Sequence, residues 1–437
     1  MSEPKNVLIE TAVAATAAIG GTVVIKKNMP DKYLKALAID LSKELNKKIN
    51  PLDLKSIITI QEFKKITKSL KEENYISSPE NIKNGIFRAD FHSHSDFSDG
   101  ASSVEDILNQ AAEYGNKLQK INGKKFLFAL SDHDGIEGVK EALKIIAENP
   151  KKFQNVRFIT ASELSMPITC EIGSSKHNAF HNDVEMVELL IYGINPFSPS
   201  SEQYFKNLYR KRKEGVKESL KKASEIVPDV KFLEEEYNRF FTRKKVTHCM
   251  LNQHWRIFNY INLKTRIAQI AKEQNKNPEE LYANVMKELR SCGGYNGAAL
   301  DEYLKRNGIN NSTKTYADTS WKIANEICPK YKGPILYAPY ESSFENIVTY
   351  AEQDNAVLAF AHPGFTIQNM RQENALQQIK NYIDKSKGRL IYSETYHQAY
   401  PPNNISKEEI EEANKIMEEA GLINLGGRDM HKDNFKL

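Results

Sequence analysis

Cysteine is scarce and scattered: Cys170, Cys249, Cys292 and Cys328 are the four in 437 residues, and no two form a CxxC pair. That spacing excludes a disulfide framework and a zinc ribbon, and it fits a reducing compartment. Charge of one sign is also lacking. With 61 basic and 57 acidic residues the formal net charge is +4, too small for the chain as a whole to be a nucleic-acid-binding polycation. There is no GxSxG elbow, no GxxxxGK[ST] phosphate loop and no GxGxxG after a strand, so acyl transfer and the nucleotide folds have little support.

Long hydrophobic runs are missing too, with one exception. Asn6 to Ile25 lies between Lys5 and Lys26-Lys27 and approaches the roughly 20 residues of a bilayer span. Glu10, three threonines and Gly20-Gly21 lower its hydrophobicity, and no signal-cleavage site follows. A packed or surface helix is the expectation, with a weak membrane anchor and then a secretory signal as alternatives. If the run inserts, the two lysines after it keep the remainder in the cytoplasm, which is the expected location.

What the chain does have is core material, 40% hydrophobic against 27% charged, on a length that calls for one large domain with an insertion or two to three domains. Asp31 to Glu73 carries Leu34, Leu37, Ala38 and Leu41 at helical spacing, and residues 1–85 are read as an N-terminal helical appendage. From Phe87 onward short apolar strands alternate with amphipathic helices. The expected strands are 88–92, 126–131, 157–161, 187–193, 356–361, 389–394 and 423–426; the helices are 103–114, 136–148, 343–354, 371–385 and 407–420. Runs such as Phe126-Leu127-Phe128-Ala129-Leu130 are apolar on both faces, as in a parallel sheet wrapped by helices. The fold class is therefore α/β, a β/α barrel built from 86–195 and 339–437. Residues 196–338 interrupt it as a helical, Lys-rich insertion. Its run Tyr209-Arg210-Lys211-Arg212-Lys213, with Tyr204 and Phe205 nearby, is either a solvated helix face or a cap that gathers phosphates.

In such a barrel, chemistry sits at the carboxyl ends of the strands. His92 and His94 follow the first strand, and their period of two points both rings to one side. Asp99 follows on a loop closed by Gly100, placed to reach the same ion or a second one. His133 follows the second strand, Glu163 the third and His362 the fifth; Glu394 ends the sixth; Asp429 and His431, another i, i+2 pair, follow the seventh. Five of the ten histidines fall at these strand ends. If these imidazoles and carboxylates converge they need cations between them, and the mixed donor set suits Zn, Mn or Fe, in two or three positions, rather than Ca. A centre of several ions points to hydrolysis, above all at phosphorus.

The ordered segments FHSHSDFSDG, LSDHDGIEG, ITASELS, FAHPGF and GGRDMH resemble the PHP (polymerase and histidinol phosphatase) family of metal-dependent phosphoesterases, from about Arg88 to His431. The resemblance implies a distorted barrel of seven strands, (β/α)7, and two or three divalent metal ions. It implies His92, His94, Asp99, His133, Glu163 as a bridge, His362, Asp429 and His431 as ligands. The family usually carries a further histidine on the fourth strand, where this chain has Glu188; either Glu188 substitutes, or His181 or His177 supplies the imidazole, or one metal position is altered. Arg428 stands where a serine is common and is placed to grip a phosphate oxygen. His133 and His431 are the candidates for proton transfer. The insertion looks most like that of the subgroup acting on nucleotides, so the expected substrate is a phosphorylated small molecule, a nucleotide or a short RNA, with His248 a possible contact. The alternatives are a metal-dependent hydrolase of a non-phosphate bond and a binding or regulatory protein with a degenerate site.

Overall fold

Seven strands lie side by side in chain order as one sheet: β1 (Ala89–Asp90), β2 (Phe126–Leu130), β3 (Val156–Ile168), β4 (Glu185–Tyr192), β5 (Val357–Phe360), β6 (Leu390–Glu394) and β7 (Ile423–Leu425). The computed structural model describes residues 31–72, 88–98, 100, 102–168, 185–211, 267–268, 271–272, 274–291, 343–364, 367, 375–394, 407–427 and 429–430. The sheet curls until its two edges meet. Phe91 N–H donates to Gly426 O at 3.1 Å and His94 N–H to Met430 O at 2.9 Å, so the chain after β1 pairs with the chain after β7. This is a distorted α/β barrel, as the alternation of strands and helices implies.

Helices clothe the sheet: α1 (Lys32–Glu44), α2 (Ile60–Glu72), α3 (Val104–Asn122), α4 (Glu137–Glu148), helical residues 199–211 as α5, α6 (Pro278–Ser291), α7 (Phe344–Gln353), α8 (Ala375–Lys385) and α9 (Lys407–Glu419). Their starts are written locally. Ser103 accepts from Asp106 N–H at 3.1 Å, Glu105 and Asp106 fill the first turn of α3, and Ser343 caps α7 in the same way. Ile107, Leu108, Ala111 and Leu118 then bury one stripe of α3.

The sheet departs from the parallel expectation at one strand. β4 runs antiparallel to both neighbours, pairing Ala161 with Tyr192 through to Ile168 with Glu185 on one side, and Leu189 with Phe360 on the other. A parallel crossover usually carries a helix. The 16 residues between Ile168 and Glu185, which lie outside the described residues, carry no helical pattern in the sequence. β3 is correspondingly long and changes partner midway, running parallel to β2 over 156–160 and then antiparallel to β4 over 161–168.

The amino-terminal helices are built into this core. Ile58 N–H donates to Phe158 O and Phe158 N–H to Ser56 O, adding a short backbone ladder beside β3. From there α2 enters the barrel interior. Phe63 is fully buried, with ring centroids 5.1 Å from Phe91, 5.1 Å from Tyr192 and 5.5 Å from Tyr392, and Thr67 Oγ1 meets the Tyr392 hydroxyl at 2.8 Å. Inward side chains of the strands, among them Leu127, Ile159, Leu190, Val357 and Leu425, complete that cluster.

Of the inserted segment, α5 begins at Pro199 with Ser198 accepting from Ser201 N–H, and it packs on α7. Half-buried Tyr204 stacks on Tyr350 at 4.4 Å and Phe205 is buried, so both rings pack against α7. Arg210 is exposed. Among the described residues no helix is long and apolar enough to cross a membrane; the run 6–25 lies outside them.

Candidate metal centre

Asp90 ends β1, and the next residues alternate: Phe91 joins the barrel interior while His92 and His94 face the rim. Beside them lies Asp429, because Met430 pairs with Ser93 as an isolated parallel bridge. His133 pairs with Glu163 in the same way, which sets its ring next to that carboxylate. Glu163 stands inside β3, not after it, since the strand continues into the hairpin. His362 directly follows the end of β5 and Glu394 is the last residue of β6. Glu188 reaches the same rim from near the beginning of β4, because that strand runs the other way.

The side chains converge tightly. His92 Nε2 lies 3.0 Å from Glu163 Oε2, 2.9 Å from His94 Nε2 and 3.4 Å from Asp429 Oδ1. His94 Nε2 is 3.0 Å from Asp429 Oδ1, His133 Nδ1 is 3.1 Å from Glu163 Oε2, and His362 Nε2 is 3.1 Å from Asp429 Oδ2. Two groups of donor atoms, each within 4.8 Å of one another, result: His92, Glu163, His362 and Asp429, and then His94, His133 and Glu163. Glu163 belongs to both. All six residues are buried. Glu188 sits at the edge, 3.6 Å from His133 Nδ1 and 3.4 Å from His362 Nδ1, with its side chain 19% exposed.

These atoms fit a cation. His92 Nδ1 faces Glu394 Oε1 at 2.9 Å, and a carboxylate only accepts, so Nδ1 carries a proton. In the neutral ring Nε2 then bears a lone pair, aimed at two carboxylate oxygens and a second imidazole nitrogen. Without a positive charge such a focus is repulsive. Glu163 Oε1 is buried and accepts no hydrogen bond from the described residues, the nearest ion-pair atom being His362 Nε2 at 3.5 Å. Ligand atoms around an ion at about 2.1 Å stand about 3.0 to 3.4 Å apart, which is the spacing found here.

Protonation responds to the same field. Burial alone would lower the His92 and His362 pKa, but Glu163, Glu394 and Asp429 around the first, and Asp429 and Glu163 around the second, raise both well above the ordinary imidazole value. Burial would raise the carboxyl pKa of Glu163 and Asp429, but the facing histidines hold both well below the usual range. Absent a metal, protons supply the positive charge; a bound cation would displace them.

A second layer holds the ligands. Asp132 accepts from Ser95 N–H and Ser95 Oγ at 2.7 Å each and from Ser98 Oγ at 2.8 Å, fixing the loop after His94. Asp134 accepts from Ser165 N–H at 3.1 Å. A Cβ on Gly138 would strike Asp132 Oδ2, and one on Gly427 would strike Glu394 Oε1, so close approach explains the glycines of the second and last motifs. Asp134, His362 and Asp429 all have positive φ, at 50°, 42° and 48°. Such a backbone costs roughly 1–2 kcal/mol per residue, and here two of the three carry a ligand side chain.

Of the sequence-derived site residues, the structure brings together His92, His94, His133, Glu163, His362 and Asp429, with Glu188 at their edge. Asp99, Arg428 and His431, like His177, His181 and His248, lie outside the described residues. The contact made by Glu394 with two of the ligands has no signature in the sequence beyond its place at a strand end.

No protein-family model matches the chain, and no curated protein matches it. Two similar solved structures are a protein from Bifidobacterium adolescentis, provisionally named a metal-dependent phosphoesterase, and an amidohydrolase from Chromobacterium violaceum with bound sulfate and no metal. The first is 16% identical with a TM-score of 0.40, covering 78% of this chain and 87% of its own. The second is 17% identical with a TM-score of 0.40, covering 79% and 88%. At that similarity the chemistry has to be argued from this chain's own side chains.

Proposed function

We propose that this chain is a metal-dependent phosphoesterase akin to the PHP family, hydrolysing phosphate monoesters or short nucleotide and RNA phosphoesters. The observation that carries the proposal is the pair of buried donor groups sharing Glu163, with lone pairs facing one another at the rim. His92, Glu163, His362 and Asp429 would hold one ion and His94, His133 and Glu163 a second, with Glu188 completing the shell on the exposed side. Mn, Zn or Fe suits this donor set. Such ions supply Lewis acidity, making a water acidic enough to attack near neutral pH and offsetting charge on a phosphate.

The chain's own groups do the rest. Glu394 keeps the His92 proton on Nδ1 and so leaves Nε2 free to ligate. The strand ends exclude bulk water from the ligands, which strengthens every charge interaction there. His133, through the ring nitrogen it does not give to an ion, and His431 are assigned proton transfer and Arg428 the grip on a phosphate oxygen, all three on sequence alone. The segment 196–338 is assigned as a cap that gathers the substrate's phosphates, and the protein as cytoplasmic.

The test is purified protein with Mn, Zn or Mg, assayed on p-nitrophenyl phosphate, a 3',5'-bisphosphonucleotide and a short 5'-phosphorylated RNA, with metal content measured in parallel. Phosphate release dependent on bound metal is expected. Bound metal without phosphate release would point to a different bond, and no bound metal would point to a degenerate binding protein.

A further inference from the structure

The two donor groups are held by different partners. Glu394 Oε1 accepts from His92 Nδ1–H at 2.9 Å, and Glu394 Oε2 accepts from the His362 backbone N–H at 3.0 Å. Both contacts are buried, and both belong to the first donor group. Among the described residues the Glu394 carboxylate bonds neither His94 nor His133. The His94 ring has its own support: Nδ1 meets Ser98 Oγ at 3.4 Å, and Ser98 donates to Asp132.

We propose that Glu394 is a positioning residue for one metal position of the pair and not for the other. It fixes the tautomer of His92, so that Nε2 presents a lone pair, and it pins the left-handed backbone from which the His362 ring projects. Gly427 makes room for this, since any Cβ there would strike Glu394 Oε1 and press on His92 Cβ. The inference rests on the metal reading of the site and adds that the two positions can be emptied separately.

The experiment uses the full chain, stripped with chelator and titrated with Mn²⁺, with stoichiometry from calorimetry and the electron paramagnetic resonance spectrum recorded at each step. The wild type is expected to take two ions and show a spin-coupled spectrum. E394Q keeps an acceptor for one contact only, so one ion is expected to bind within about threefold of wild type and the other about 10- to 100-fold more weakly. At intermediate Mn²⁺ the spectrum should be that of an isolated ion. G427A, whose methyl would strike Glu394 Oε1, should reproduce the pattern. Wild-type loading of both positions in E394Q, or equal weakening of both, would overturn this inference while leaving the metal reading intact. A wild type that binds no metal would overturn both. If E394Q melts well below the metal-free wild type, the decision passes to nitrogen NMR of the Zn-loaded wild type: His92 protonated on Nδ1 supports the proposal, and protonated on Nε2 overturns it.

Discussion

His92 is tied into the site through both ring nitrogens, which meet Glu394, Glu163, Asp429 and His94. Its removal, or that of Asp429, takes one ligand from the first donor group and leaves buried carboxylates unpaired. His92→Ala and Asp429→Ala are each expected to empty the first metal position and abolish turnover together, read by metal stoichiometry and phosphate release; full activity in either variant would refute the assignment. The same ion pairs make stability depend on pH. The raised His92 and His362 values contribute stability that is complete below the unfolded imidazole value, about 6.5, and lost as pH rises through the folded value. The lowered Glu163 and Asp429 values contribute stability that is complete above the unfolded carboxylate value, about 4, and lost as pH falls through the folded value. These are two views of the same ion pairs. Metal-free protein should therefore melt highest between about pH 4.5 and 6.5 and lower on either side, and added Mn²⁺ should remove the alkaline decline by taking the protons' place. A melting temperature that rises steadily from pH 6 to 9 without metal would contradict it.

Among the elements, α2 and β4 do most to shape the barrel. Phe63 of α2 sits among Tyr192, Phe91, which directly precedes His92, and Tyr392, which stands two residues before Glu394. Phe63→Ala would open a cavity there and should cost about 3–5 kcal/mol in urea unfolding, against under 1 for a solvent-facing change on the same helix. The α5 rings Tyr204 and Phe205 pack against α7, while the basic run beside Tyr209 offers charge for holding a polyanion. Neutralising Arg210, Lys211 and Arg212 together should raise KM several-fold on the 5'-phosphorylated RNA and little on the aryl phosphate; equal effects on both would make the face a solvated one only.

Over the whole molecule, side chains from residue 92 to residue 429 meet at one rim, so metal and fold are thermodynamically linked. Ions that bind only the folded chain should stabilise it by about 2.7 kcal/mol each at a hundred times Kd. Chelator should lower the melting temperature and returned metal restore it; no change would contradict a structural load on the ions. Much of this was legible in the residues. Period-two spacing alone put His92 and His94 on one side, and apolar runs bounded by polar loops located every strand of the sheet. Those are local properties, fixed by backbone geometry and hydrophobicity over a few residues. The direction of β4, the entry of α2 into the barrel and the hold of Glu394 on two ligands were decided only by the tertiary structure, because each depends on contacts between segments far apart in the chain, which no local spacing encodes.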